Sequence, residues 1–77
     1  MKLAYFPSAV ARNGTAVLDA VLDSAQSFGI RPAEESMDAD IAVIWSVLWH
    51  GRMASNRTVY EHYRAQGKPV IVLDVGA

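Results

Sequence analysis

The apolar positions of the chain fall into three short continuous runs, separated by two stretches in which apolar and polar residues recur at helical spacing. Leu3-Ala4-Tyr5-Phe6 is stopped by Pro7, Ile41-Ala42-Val43-Ile44-Trp45 is the most branched, and Val70-Ile71-Val72-Leu73 lies near the end. None of the three alternates as a solvent-facing strand would, so each reads as a strand buried on both faces. Between the first two runs, Val17, Leu18, Val21, Leu22, Ala25 and Phe28 share one side of a helical wheel, opposite Asp19, Asp23, Gln26 and Ser27. That is an amphipathic helix. Thr15 or Asn13 is placed to cap its start, Gly29 to end it in the left-handed conformation, and Pro32 to prevent its continuation.

A second helix is predicted from about Asn56 to Ala65, capped by Ser55, Asn56 or Thr58, and stopped by Gly67-Lys68-Pro69. Thr58 and Glu61 have capping-box spacing, but a start there leaves a short helix. Tyr60 and Tyr63 are spaced with Val59 as core residues. The acidic stretch Glu34-Glu35-Ser36-Met37-Asp38-Ala39-Asp40 reads as an exposed connection with a solvated charged face, and Ile30 as the start of at most a short edge strand.

Alternation of strand and helix predicts an α/β domain spanning residues 1–77: β-α-β-α-β, with a three-stranded parallel Rossmann-like sheet flanked by two helices. Three strands and two helices leave both sheet edges open. The expectation is therefore either the N-terminal part of a larger protein or a chain that pairs with another copy or a partner.

Composition narrows the function classes. Hydrophobic residues make up 52% of the 77 positions and charged residues 19%, which favours a folded core over disorder. The formal net charge is −1 and the seven Lys and Arg are scattered, so no concentrated positive field supports nucleic acid or membrane binding. Nucleic acid enters the expectation only as a modified acceptor. Without cysteine there is no disulfide, thiolate chemistry or cysteine-ligated zinc. No apolar run approaches the ~20 residues of a spanning helix and no signal peptide opens the chain, so a cytoplasmic protein is expected, with no cofactor and no metal. Asn13-Gly14-Thr15 and Asn56-Arg57-Thr58 match the glycosylation sequon, but helix capping is the favoured role in that setting.

In an open parallel sheet the ligand site lies beyond the carboxyl ends of the strands. Three segments converge there by topology: Pro7 to Asn13, Ser46 to Asn56, and Gly76 onward. The second is richest in chemistry. Trp49 offers a stacking surface, His50 a proton exchanged near neutrality, Arg52 a two-pronged grip on phosphate or carboxylate, and the following helix N-terminus favours an anion. Equally, Trp49 can pack on the sheet while His50 and Arg52 face water. In the first segment, Arg12 and Asn13 suffice for one phosphate contact, but neither G-x-G-x-x-G nor a P-loop is present. Asp74, at the end of the third run, suits a ribose hydroxyl, a base, or a simple turn. Ser46 lacks nucleophile-elbow glycines, and His50 and His62 lack zinc-pair spacing.

The stretches Asp38 to Trp45, Trp49-His50-Gly51-Arg52-Met53, Asn56, Tyr60-Glu61-His62-Tyr63 and Gly67 to Gly76 resemble the opening Rossmann-like part of phage-encoded glycosyltransferase-like proteins. The W-H-G-R loop and the G-K-P-V-I-V strand are the most distinctive parts. That family uses two facing domains, with the nucleotide-sugar donor held mainly by the second and the acceptor mainly by the first. The resemblance implies an N-terminal domain that contributes to binding a glycan acceptor or a nucleotide-sugar phosphate. Trp49, His50, Arg52 and Asn56 would face the cleft, Gly76 would allow close backbone approach, and His50 or Asp74 would serve as the catalytic base. With the donor half absent, transferase activity is not expected of these residues alone. The alternative, from another class, is a non-catalytic phage-type interaction module or inhibitor that works through self-association or a host partner.

Overall fold

The computed structural model describes residues 1–10, 14–45 and 54–73. Its elements are β1 (Lys2–Tyr5), a single 3-10 turn (Pro7–Ala9), α1 (Thr15–Ser27), β2 (Arg31–Glu34), β3 (Ile41–Trp45), α2 (Ser55–Ala65) and β4 (Val70–Leu73). All strand pairings are parallel, in the order β2-β1-β3-β4. The fold class is therefore α/β as expected, but with four strands instead of three.

The additional strand is β2, and its chemistry explains why no apolar run marks it. Arg31-Pro32-Ala33-Glu34 pairs only with β1 and buries no residue fully. Pro32 lacks an N–H donor and is compatible with an edge position, where one side of the strand has no partner to bond. Charged residues at both ends of β2 also discourage further strand pairing. The opposite edge differs. On β4 the neighbours Ile71 and Val72 point to opposite faces and are 41% and 40% exposed. This third run is thus a half-exposed edge strand, not a buried one.

The two helices cover opposite faces. Leu18 of α1 packs with Leu3, Val10, Val43 and Trp45, joined at the margin by Val17, Leu22, Ala25 and Leu73. Val59 and Tyr63 of α2 pack with Ala4, Phe6, Ala9, Ala39, Ala42 and Ile44. Alternate residues of β1 and β3 thus feed different cores, which is why their runs are continuously apolar. Phe28 departs from the expected helical stripe: it follows the last turn of α1 and is 81% exposed. Gly29, at φ +79°, and Gly67, at φ +72°, end the two helices in the left-handed conformation. Helix α1 starts after Gly14 with no side-chain cap bond, while Asn13 lies outside the described residues. Helix α2 starts at Ser55, so Thr58 lies within it and forms no capping box.

The connection from β2 to β3 contains no helix. Residues 35–40 must instead carry the chain back to the opposite end of the sheet and past β1. Glu35, at φ +54°, turns the chain, and its N–H donates to Tyr5 O at 2.8 Å. Tyr63, 0% exposed, then pins the strap: its hydroxyl donates to Ser36 O at 2.8 Å and accepts from the Ala39 N–H at 3.1 Å. Lys68 donates from Nζ to Ala39 O at 2.8 Å, and the Lys2 N–H donates to Asp40 Oδ2 at 2.8 Å. The expected solvated face holds for the carboxylates of the strap, but Ala39 is buried in the core. The Ser36 hydroxyl, donating to Asp38 at 2.7 Å, holds that exposed carboxyl below its usual range.

At the start of α1 the main chain lies directly against the Trp45 indole. A Cβ at Gly14 would lie 2.6 Å from Trp45 Cη2, closer than side chains approach one another. Gly14→Ala is therefore expected to displace the indole or the helix start and to destabilise the fold by about 1–3 kcal/mol in chemical denaturation. Unchanged stability would show that this contact is not tight.

Candidate functional site

The strand order sets the place of the site. From β1 the chain steps outward through α1 to β2, then returns across β1 to β3 and continues outward through α2 to β4. The winding direction reverses between β1 and β3, the position at which open α/β sheets hold ligands beyond the carboxyl ends of their strands. The chain immediately after β1 turns through Pro7–Ala9, and β3 ends at Trp45.

Asn56, in the first turn of α2, joins these two ends. Its Nδ2 donates to Trp45 O at 2.7 Å and to Ala9 O at 3.1 Å, and the residue is 0% exposed. Because both partners are carbonyl oxygens, the orientation of the carboxamide is fixed: a flip would set Oδ1 against two acceptors. Oδ1 is left buried with no hydrogen-bond partner among the described residues. An unsatisfied buried acceptor of this kind costs about 1–3 kcal/mol, so its presence calls for an explanation.

Electrostatics distinguish the two sides of this edge. Beside β2 the groups are acidic and already engaged with hydroxyls. Tyr5 donates to Glu34 Oε1 at 3.2 Å, and the Ser8 hydroxyl donates to Glu35 Oε2 at 3.3 Å. Burial, with Glu34 adding to it, raises the Tyr5 phenol above its ordinary value. An anion is repelled there. On the α2 side, among the described residues, the helix N-terminus has no side-chain cap bond and no acidic residue in its first turn. The partial positive charge of the helix end is therefore not cancelled locally. Arg57 also lies in this turn, with Nε 3.3 Å from Glu61.

Of the candidate catalytic and binding residues, Asn56 alone lies among the described residues, and it sits at the junction itself. Its role as a bridge between two loop carbonyls was not legible, since neither carbonyl is marked by residue type. Arg12, Asn13, Trp49, His50, Arg52, Asp74 and Gly76 lie outside the described residues. Connectivity still fixes where their segments are anchored. Residues 11–13 run between Val10 and Gly14, residues 46–53 between Trp45 and Ala54, and residue 74 follows β4. His62, expected to be an isolated surface histidine, is exposed, with Nε2 2.6 Å from Met37 O. Among the described residues no group of His, Asp and Glu could hold a metal ion, and no helix is long and apolar enough to cross a membrane.

Asn56→Asp tests the junction with almost no change of shape. The new carboxylate would face two carbonyl oxygens, an expected loss of about 3 kcal/mol at neutral pH. Burial and those oxygens would raise the folded-state value of the new carboxyl above its unfolded one. The deficit should therefore be smallest at acidic pH and grow as pH rises through the folded-state value. Urea titrations across that range measure it, and equal stability of variant and parent at neutral pH would contradict the bridge.

No family model, no curated protein and no solved structure matches the chain.

Proposed function

We propose that the chain is a ligand-binding α/β unit of glycosyltransferase-like type, in which the switch point between β1 and β3 holds the phosphate of a nucleotide sugar or the glycan acceptor. The observation that carries this reading is the Asn56 bridge, which brings the ends of β1 and β3 together beside the uncapped N-terminus of α2. A helix end of that kind favours an anion, while the carboxylates by β2 direct it away from the other side. In this reading Arg52 clamps phosphate, Trp49 stacks on base or sugar, and Arg12 and Asn13 add a contact from the first loop. His50 or Asp74 takes the proton of the acceptor hydroxyl as that oxygen displaces the nucleoside diphosphate at the anomeric carbon. Gly76 admits the backbone close to the ligand. A second domain supplies the remainder of the donor site, and the unit alone binds without turnover.

Titration with uridine diphosphate glucose and related nucleotide sugars, followed by tryptophan fluorescence and calorimetry, tests this. Saturable binding is expected, with Arg52→Ala weakening it by roughly tenfold to a hundredfold. A folded sample that gives neither heat nor a fluorescence change with any of these ligands or with simple glycans would contradict the reading.

A second reading, a non-catalytic module that associates with its own copies, is favoured by β4. The Ala42 N–H donates to Pro69 O at 3.2 Å, so strand alternation turns the N–H and C=O groups of Val70 and Val72 outward. Unlike β2, this edge carries neither proline nor charge across Val70–Leu73. The matching free strand is β4 of a second copy. Antiparallel pairing centred on Ile71 would also set sequence position 68, a lysine, across from position 74, an aspartate. Light scattering over a concentration series is expected to show dimer, and Val72→Pro, which removes one outward N–H, to restore monomer. A monomer at every concentration would exclude this reading.

A further inference from the structure

Helix α1 covers only part of its side of the sheet, and its two flanks can be told apart. Asp19 acts electrostatically on the Tyr5 phenol, so its flank lies towards β1 and β2. Gly14 abuts the Trp45 indole, so the other flank lies towards β3. At about 100° per residue, Val17, Val21, Ser24 and Phe28 fall on that second flank, away from Asp19 and Gln26. Phe28 is 81% exposed, and Val17 and Val21 are half-buried. Beyond this flank lies β4. Its Leu73 packs on the α1 side and its Val70 on the other, so alternation puts Ile71, 41% exposed, on the α1 side. An exposed apolar step on α1 thus adjoins an exposed apolar ledge on β4.

The occupant these surfaces fit is a second copy of the chain. The flank positions 17, 21, 24 and 28 are separated by four, three and four residues, the spacing of a seam between two parallel helices. A two-fold axis along that seam sets each position against itself. The same rotation carries the partner's α1 over the β4 ledge of the first copy, and the first α1 over the partner's ledge, so one operation covers both patches. The outward face of α1 then meets the ledge, and Ala16, Ala20 and Ser27 there are small enough to let it approach. Helix α1 has 13 residues and is about 20 Å long. With the partner helix about 10 Å away, helix and ledge give each copy a footprint of about 400 Å². Over both copies that is about 800 Å² in projection, and more once side-chain corrugation is counted, near the ~1,000 Å² lower bound of a specific interface. We infer that the chain forms a weak, parallel two-fold dimer through the α1 flank and the β4 ledge, in place of the β4 edge pairing of the second reading. The contact is independent of ligand binding.

The chain has no cysteine, so single cysteines report the seam cleanly. Ser24→Cys lies on the axis and Gln26→Cys on the opposite flank, both at exposed positions. Under mild oxidation Ser24→Cys is expected to form its intermolecular disulfide at least about tenfold faster, since only there do the two Cβ atoms come near the ~4 Å a disulfide needs. Equal rates would overturn the inference. In light scattering, Phe28→Asp is expected to weaken the dimer roughly tenfold or more with an unchanged circular dichroism spectrum, by setting like charges at the axis. Val72→Pro, which alters only the outward backbone of β4, should leave the dimer in place. A dimer lost with Val72→Pro and kept with Phe28→Asp is the edge pairing and overturns the inference, and a monomer at every concentration overturns both.

Discussion

One carboxamide fastens helix α2 to the carboxyl ends of both central strands. The chain reverses its winding direction between β1 and β3, so the helices that follow these paired strands cover opposite faces of the sheet. Asn56 spans the gap by giving one proton to the carbonyl at the end of β3 and the other to the carbonyl after the turn that follows β1. Asparagine suits this place because it offers two donors in a fixed plane on a short side chain, without a charge to desolvate. Through this bridge the start of α2 is fastened to both central strands, and the site is defined by the same contact.

A second constraint follows from the missing crossover helix. A parallel connection ordinarily returns through a helix that covers the sheet. Here six residues make the return through a turn and a run of bends, and the cover is provided by α2 from the next unit. The Tyr63 hydroxyl is therefore as much a part of the topology as of the core, since it satisfies one donor and one acceptor of a strap that has no ladder of its own. Together, Asn56 near the start of α2 and Tyr63 towards its end secure the ends of β1 and β3 and the strap between β2 and β3. Between them, Val59 packs against the sheet. The helix works as a clasp as well as a layer.

Much of this was legible in the residues. The runs at Ile41–Trp45 and Val70–Leu73 coincide with strands because strands paired in a parallel sheet show continuous apolar sequence, and the glycines at 29 and 67 end helices because they can adopt positive φ. Strand β2 was only half legible: Ile30 pointed to a short edge strand, but Arg31, Pro32 and Glu34 are what an edge strand can tolerate, and they look like a loop. The β-bonded edge at Val70–Leu73 looked like a buried strand because composition records apolar character but not whether a neighbour is there to cover it. At the site, Asn56 drew notice as a helix cap, whereas it acts as a bridge between carbonyls distant in sequence. Backbone oxygens carry no residue signature, so only the fold could reveal which of them it meets.

Asn56 joins the ends of β1 and β3. Scalar couplings across hydrogen bonds, measured by nuclear magnetic resonance between Asn56 Nδ2 and the carbonyl carbons of Ala9 and Trp45, test it most directly. The account predicts both couplings from one side chain, with its two amide protons protected from exchange with water. A freely exchanging side-chain amide with neither coupling would contradict it.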